Sequence, residues 1–160
     1  MISREEAGAL ILKHAKLLSS EDIGVDGAVN RVLAAEVRSP IDHPIFDQSA
    51  MDGYCFSHSS MSRTSVLKLR GEIQAGGDSD IKIGPGECAR IFTGAKLPAS
   101  CDTVIMQEQT AVDGDQITLT NTELKAGANV RVAGEQLQKG EVALATGSII
   151  NSAEIGRAHV

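Results

Sequence analysis

Ser39-Pro40-Ile41-Asp42-His43-Pro44 is the stretch at which the sequence of this 160-residue chain changes character. Two prolines four positions apart exclude a regular helix and favour an extended crossing segment. Helical apolar spacing dominates before this stretch, and short β-rich segments follow it. We therefore predict a domain boundary near residue 40, and a second one near residue 140, where the pattern changes back.

The segment before this boundary predicts two helices. Ser3 and Glu6 have the spacing of a capping box at the start of the first helix, and apolar residues then recur at helical intervals. Residues 28–35 predict a second, shorter helix. Short strands are expected at 23–25 and 36–38.

The segment after residue 140 predicts two short strands, at 142–145 and 149–150, and then a helix. Asn151 or Ser152 would cap this helix. The helical pattern is still running at Val160, so we expect the chain to have been cut inside a longer protein or at a domain boundary.

Between the two boundaries, the sequence alternates β-rich segments with glycine- and proline-containing turns. This spacing predicts a small β-barrel or sandwich of five or six short strands. The expected strands are 53–57, 65–69, 87–91, 103–107 and 116–120.

Composition and charge exclude several classes of function. The formal net charge of −6 argues against partners such as nucleic acid or an anionic membrane. The sequence has no apolar run of membrane-spanning length and no signal-peptide pattern, so we expect a cytoplasmic protein. Three widely spaced cysteines favour reduced thiols over a disulfide scaffold or a structural zinc site.

Three clusters carry residue types that could do chemistry. Residues 46–54 combine two carboxylates, a hydroxyl and the only tyrosine, residues 90–98 combine an arginine with a threonine, and residues 127–136 combine an arginine with a glutamate. Asp52 could ligate a hard cation such as Mg²⁺, or it could simply cap an exposed turn. Arg90 and Thr93 could bind an anion, or they could end a strand with Arg90 solvated. Arg131 with Glu135 could be a solvated ion pair on an edge strand.

The order of these clusters resembles the molybdopterin molybdotransferases, the MoeA and gephyrin E-domain family. The resemblance covers nearly the whole chain and is most specific at Ser49-Ala50-Met51-Asp52-Gly53-Tyr54. It continues through Gly71-Glu72-Ile73 with Ala75-Gly76, Arg90-Ile91 with Thr93-Gly94-Ala95, Asp102-Thr103-Val104 with Gln107-Glu108, Asn129-Val130-Arg131 with Gly134-Glu135, and Gly147-Ser148-Ile149-Ile150.

The resemblance implies an α+β, mainly β fold. An elongated α/β scaffold domain (residues 1–40 and 140–160) would form homodimers, with a small β-barrel-like domain (41–139) inserted into it. Asp52 and Thr93 would be catalytic residues of a cleft. Ser49, Arg90 and Arg131 would bind substrate, and Asp52 with Glu135 would hold Mg²⁺.

The implied reaction inserts molybdate into adenylylated molybdopterin and releases AMP, in the presence of Mg²⁺. The molybdopterin-binding domain that completes the cleft would lie outside this chain, and the molybdopterin adenylyltransferase is a candidate partner. The sequence departs from the family pattern at Gln136, where a second acid is usual. An amide supplies no negative charge to Mg²⁺, so metal binding would be weaker or depend on Asp52 and Glu135.

Two other functions remain open at this point. Gephyrin-type proteins use the same architecture to cluster other proteins, so the chain could be a dimeric scaffold without catalysis of its own. A free-standing β-barrel binding protein would explain the turns, but it would explain neither the ordered motifs nor the helical pattern at the end of the chain.

Overall fold

The computed structural model describes residues 2–77 and 81–158. Its elements are α1 (Arg4–His14), β1 (Val37–Arg38), β2 (Gln48–Ser49), β3 (Gly53–Phe56), β4 (Val66–Ile73), β5 (Glu87–Ile91), β6 (Thr103–Met106), β7 (Thr110–Asp113), β8 (Gln116–Leu119), β9 (Val130–Arg131), β10 (Val142–Leu144) and α2 (Ser152–Ala158). The chain divides into two compact units. The first joins the residues up to Val37 with those from Leu144 onward, and the second is Arg38–Ala143.

In the first unit, α1 begins as predicted. The Ser3 hydroxyl accepts the Glu6 amide at 3.1 Å, and the Glu6 carboxylate accepts the Ser3 amide at 2.8 Å, which completes a capping box. The helix ends at His14, so the apolar residues Leu17 and Leu18 follow it in irregular chain. None of the helix residues is buried.

The predicted second helix at 28–35 is wrong, as is the predicted strand at 23–25. A 3₁₀ turn spans Val25–Gly27, and the chain then runs antiparallel to residues 147–150. The Asn30 amide donates to the Ile150 carbonyl at 2.7 Å, and the Leu33 amide donates to the Ser148 carbonyl at 2.9 Å. Backbone groups used in this distant pairing are not available for helical bonds, and local periodicity does not reveal such pairing.

α2 begins as the sequence suggests. Asn151 is its cap, because its side-chain oxygen accepts the amides of Ala153 at 2.8 Å and Glu154 at 3.4 Å. The expected continuation to Val160 falls beyond the described residues. No helix in the described ranges is long and apolar enough to cross a membrane.

The second unit is built on a six-stranded sheet, curled like half a barrel, with the order β6-β3-β5-β4-β8-β7. All neighbours are antiparallel except β4 and β5. The five strands expected from the sequence are confirmed, with β4 extending to Ile73. The sequence did not indicate β2 or β7, and it left β9 open as an edge strand. β2 and β9 are only two residues long. The chain is therefore α+β and mainly β.

Both faces of this sheet are buried at its centre. On β3, Tyr54 and Phe56 join a cluster with Leu67 and Ile105, whereas Cys55 points into the opposite cluster. Successive residues of a strand face opposite sides, so β3 needs apolar residues at every position. This explains how a chain with three phenylalanines and no tryptophan still builds two continuous cores.

Candidate functional site

The three clusters singled out in the sequence meet in the second unit. β2 lies between the turn at 92–97 and the extended segment at 129–133. On one side the Ser49 amide donates to the Ala95 carbonyl at 3.0 Å. On the other side β2 pairs antiparallel with β9, with Ser49 opposite Val130. We call this arrangement of residues 47–52, 92–97 and 129–135 the motif junction.

Asp52 is the acid of the junction whose environment departs most from that of a free side chain. Its Oδ1 accepts the Thr93 amide at 2.8 Å and the Thr93 hydroxyl at 2.9 Å. These two hydrogen bonds, helped by the nearby Arg90 charge, lower the pKa of Asp52 from its ordinary value. Both residues are exposed, so an ionised carboxylate faces solvent with one oxygen already held.

Gly53 is required by the close approach of β6. A Cβ at this position would lie 1.9 Å from the carbonyl oxygen of Ile105, a distance that no real contact tolerates. The glycine allows β3 to pair with both β5 and β6 at this point, opposite Ile91 and Met106. Steric exclusion of a Cβ therefore explains why glycine follows Asp52 at the start of β3.

Arg90 is half-buried and tied to its surroundings. Its guanidinium donates to the Gly53 carbonyl at 3.0 Å and to Oε1 of Gln107 at 2.6 Å. Its central carbon lies 5.4 Å from the Tyr54 ring centroid and 4.8 Å from that of Phe92. Of the alternatives left open by the sequence, a freely solvated side chain does not describe this arginine.

The other residues predicted to bind substrate have different surroundings. Ser49 is buried, and its hydroxyl donates to the Met51 carbonyl at 2.6 Å. Arg131 is exposed at the end of β9, opposite Gln48. That Ser49 and Arg131 contact substrate stays a prediction.

Glu135 and Asp52 accept hydrogen bonds from different residues. Glu135 is exposed and accepts the Val132 amide at 3.1 Å. The neighbouring Gly134 donates to the Pro44 carbonyl, which places this turn beside the residues that precede β2, whereas Asp52 follows β2. Among residues 2–77 and 81–158, no group of three or more His, Cys, Asp or Glu side chains could hold a metal ion.

Two residues that contact the three clusters were not named as site residues from the sequence. Asp47 accepts the Ala133 amide at 2.8 Å through Oδ1, which ties the first cluster to the third. Gln107 donates its amide to the Asp52 carbonyl at 3.1 Å while its side chain accepts Arg90. Gln107 already stood in the family pattern as part of Gln107-Glu108, but its contacts depend on β6 lying beside β3, which no local signal reveals.

A cleft of about 710 Å³ lies near one end of the junction, lined by Asp47, Ile81, Lys82, Ile83, Lys96, Leu97, Pro98, Ala99 and Ser100. None of the six predicted site residues lines it. Asp52 instead lies on open surface, where another protein surface could close over it.

Comparison with known proteins gives a consistent result. Residues 2–159 match the family described as the MoeA N-terminal region (domain I and II). The chain is 35% identical over 150 residues to the molybdopterin molybdenumtransferase of Haemophilus influenzae, covering 92% of this chain and 37% of that protein. It is 34% identical over 160 residues to that of a Nostoc species, covering 95% and 36% respectively.

A solved structure is also similar. The molybdopterin biosynthesis moeA protein of Pyrococcus horikoshii OT3 superposes with a TM-score of 0.88 at 29% identity, over 95% of this chain and 41% of that chain. The chain thus spans little more than a third of the length of the curated relatives named above.

Proposed function

The chain belongs to the family of MoeA N-terminal regions, and on that premise we propose that it is the N-terminal part of a molybdopterin molybdotransferase. The proposed reaction belongs to molybdenum cofactor biosynthesis. It inserts molybdate into adenylylated molybdopterin and releases AMP. The chain would contribute one wall of the active-site cleft, and the rest of a longer protein would contribute the molybdopterin-binding wall.

The observation that carries this proposal is the motif junction. Three clusters separated by up to about eighty residues meet around one strand, β2, and leave an ionised Asp52 at the surface. Thr93 holds one oxygen of this carboxylate with two donors, and the group is exposed at the point where the clusters meet. A carboxylate held in this way suits a cleft in which a bound cation offsets phosphate charge.

Mg²⁺ is the cofactor that we propose for this site, with Asp52 as the ligand from this chain. All the hydrogen bonds that Asp52 accepts through its carboxylate within the described residues go to Oδ1, so Oδ2 is the oxygen available to a cation. One carboxylate fits Mg²⁺, which usually keeps several waters and takes further oxygens from substrate phosphates. When bound, the ion would offset phosphate charge. Glu135 accepts the Val132 amide, and its assignment as a second ligand stays a prediction.

The anionic substrates need positive groups that this chain does not concentrate at the junction. The net charge is −6, and Arg90 already holds Gly53 and Gln107. Arg131 is exposed, and we propose it, with Ser49, as a secondary contact. The main cradle for molybdate and the phosphates would come from the rest of the protein.

The test is turnover of the complete protein. Asp52→Asn removes the charge and keeps the shape, and we expect it to lower the rate of AMP release by about 100-fold. The matched control is Asp113→Asn, since Asp113 is an exposed acid at the end of β7. Unchanged turnover and unchanged Mg²⁺ dependence in Asp52→Asn would remove Asp52 from the reaction.

We propose a homodimer formed through the first unit, on the basis of its exposed apolar side chains. α1 buries none of its residues, and Leu12, Leu17 and Leu18 are 76%, 102% and 94% exposed. An apolar surface of this kind marks an interface with another protein, and closed two-fold pairing is the commonest solution for identical chains.

Sedimentation of the complete protein tests the dimer. Leu12→Lys combined with Leu18→Lys should convert dimer to monomer. The control, Val112→Lys, changes an exposed apolar side chain on β7 of the second unit. A double variant that sediments as the parent protein does would place the interface elsewhere.

A scaffold without catalysis is the second candidate, and Gln136 is the observation that favours it. Its exposed side chain is an amide where the family usually has a second acid. In that case the dimer test would succeed while the Asp52→Asn variant and the parent protein would both lack turnover. A cytoplasmic location and an interaction with the molybdopterin adenylyltransferase remain parts of the proposal.

A further inference from the structure

Two consecutive carbonyls, those of Asp52 and Gly53, are held by Gln107 and Arg90. The Asp52 carbonyl accepts the backbone amide of Gln107 at 3.1 Å, and the Gly53 carbonyl accepts Nη1 of Arg90 at 3.0 Å. Nη2 of Arg90 donates to Oε1 of Gln107 at 2.6 Å. Arg90 and Gln107 thus bind each other and two consecutive carbonyls, and we call this set of contacts the carbonyl clamp.

Two aromatic rings fix the guanidinium of the clamp. Tyr54 faces Arg90 directly across β3 and β5. Phe92 lies two residues after Arg90, where an extended chain returns to the same face. The ring centroids lie 5.4 Å and 4.8 Å from the guanidinium carbon, within the range of a cation–π contact. Such contacts restrict the arginine to the rotamer that makes both hydrogen bonds.

We propose that Arg90 and Gln107 are positioning residues, which hold the Asp52-Gly53 backbone so that the Asp52 carboxylate stays against Thr93. This inference rests on the proposed function, because it assigns a purpose to the placement of Asp52. It differs from the expectation that Arg90 binds substrate. It also adds Gln107 to the site.

The geometry favours positioning over substrate binding for Arg90. Two of its five N–H donors are used inside the protein, and rings lie close to the guanidinium. A planar fork can bind two acceptors at once, whereas a lysine ammonium supplies the same charge without that geometry. Arg90→Lys therefore separates the effect of charge from the effect of the fork.

The clamp limits the positions open to the exposed Asp52 carboxylate. An exposed aspartate at a turn ordinarily samples several rotamers. With both carbonyls held, the Thr93 amide and hydroxyl meet Oδ1 in one arrangement. Groups held in advance lose no reorganisation energy during reaction.

The first test measures hydrogen exchange of the Thr93 amide in this chain, by NMR, in Arg90→Lys and Gln107→Leu. We expect exchange to accelerate by about tenfold in both variants. Each loses the side-chain bond between Arg90 and Gln107 that helps to hold the guanidinium on the Gly53 carbonyl, so the Thr93–Asp52 bond opens locally. The Leu119 amide, which donates to Ser65 at 2.7 Å on β8, should keep its rate. Gln107 is exposed, so its variant should fold even if Arg90→Lys does not.

Controls use residues of the same type outside the clamp. Arg63→Lys and Gln138→Leu change exposed side chains of the second unit and should leave Thr93 exchange unaltered. If Thr93 exchange stays at the parent rate in both clamp variants, or if Leu119 accelerates equally, the positioning role is wrong.

The second test is kinetic and uses the complete protein. If the clamp positions Asp52, both variants should lower kcat by about tenfold or more while KM changes by less than about twofold. A raised KM with unchanged kcat in Arg90→Lys would instead mean that Arg90 contacts substrate. If Asp52→Asn itself leaves turnover unchanged, the proposed function fails. The exchange measurement still tests the clamp independently, because it does not depend on turnover.

Discussion

Asp52 and Gly53 are adjacent in one motif, but a different physical constraint determines which residue type is needed at each position. Gly53 is set by sterics, because the Ile105 carbonyl occupies the space of a Cβ. Asp52 is set by hydrogen bonding, since Thr93 supplies two donors to one oxygen. Tyr54, next in sequence, lies against the Arg90 guanidinium. Residues 52–54 therefore tolerate few substitutions, because each of the three positions has a different neighbour in the structure.

The pKa of Asp52 should respond to the Thr93 hydroxyl. Thr93→Val removes the side-chain hydrogen bond but keeps the stronger contribution of the Thr93 amide, so the pKa should rise and yet stay below 3.8. Thr93→Ser keeps a hydroxyl and should keep the parent value. Carboxyl ¹³C shifts followed through a pH titration measure this, and identical titrations of Thr93→Val and the parent would contradict it.

The same shift has a defined consequence for stability. A carboxyl with a depressed pKa in the folded state stabilises the fold above its unfolded value, here about 3.8, and that contribution is lost as pH falls through the folded value. Thr93→Val should therefore lose less stability than the parent protein on acidification below pH 3.8.

Gly53→Ala should destabilise the second unit by about 3 kcal/mol or more, since overpacking against backbone cannot be relieved by a side-chain rotation. The control is Gly24→Ala, where a Cβ meets nothing within 4 Å and φ is negative. Urea unfolding measures both. A Gly53→Ala variant as stable as the control would mean that β3 and β6 can separate at little cost.

At the scale of elements, β3 and β5 contribute most to the core of the second unit, because both faces of each strand are buried. Cys88 on β5 faces one cluster, while Ala89 and Ile91 face the other. Burial raises the pKa of the Cys88 thiol to about 12, which keeps it protonated at neutral pH. The peripheral strand β7, in contrast, is almost entirely exposed.

This difference between strands predicts the cost of truncating their side chains. Ile91→Ala should lower the free energy of unfolding by about 2–5 kcal/mol, because a fully buried side chain leaves a cavity. Val112→Ala on β7 should change it by less than about 0.5 kcal/mol. Chemical denaturation with linear extrapolation gives both values, and similar losses for the two variants would contradict this account of the core.

At the scale of the whole molecule, burial is distributed unequally between the two units. Among the described residues, Leu144 is the only buried hydrophobic residue of the first unit, whereas the second unit contains both core clusters. Hydrophobic burial is the main favourable term in folding. The first unit, taken by itself, therefore has little to stabilise it.

Native-state hydrogen exchange should reflect this inequality. In the monomeric chain, amides of α1 should exchange at rates near those of an open chain, while amides of β3 and β5 should exchange only with global unfolding. Dimerisation through the first unit should slow the exchange of α1 selectively. Equal protection of α1 and β3 in the monomer would show that the first unit is stabilised by something other than its own core.

The sequence alone determined the features that depend on neighbours within about four residues. The Ser3–Glu6 capping box, the Asn151 cap and the strands β3, β5, β6 and β8 follow from local spacing and turn residues. The motif order was also sufficient to indicate the family, because it is a property of the chain itself.

Only the tertiary structure decided the features that depend on distant partners. Residues 30–33 have a helical pattern but pair with residues 147–150. The two-residue strands β2 and β9 pair with each other, and β2 also bonds to Ala95. Arg90 is held by Gly53 and Gln107, 37 and 17 positions away. Burial and hydrogen bonding over such separations outweigh local propensity, and a local pattern contains no record of them.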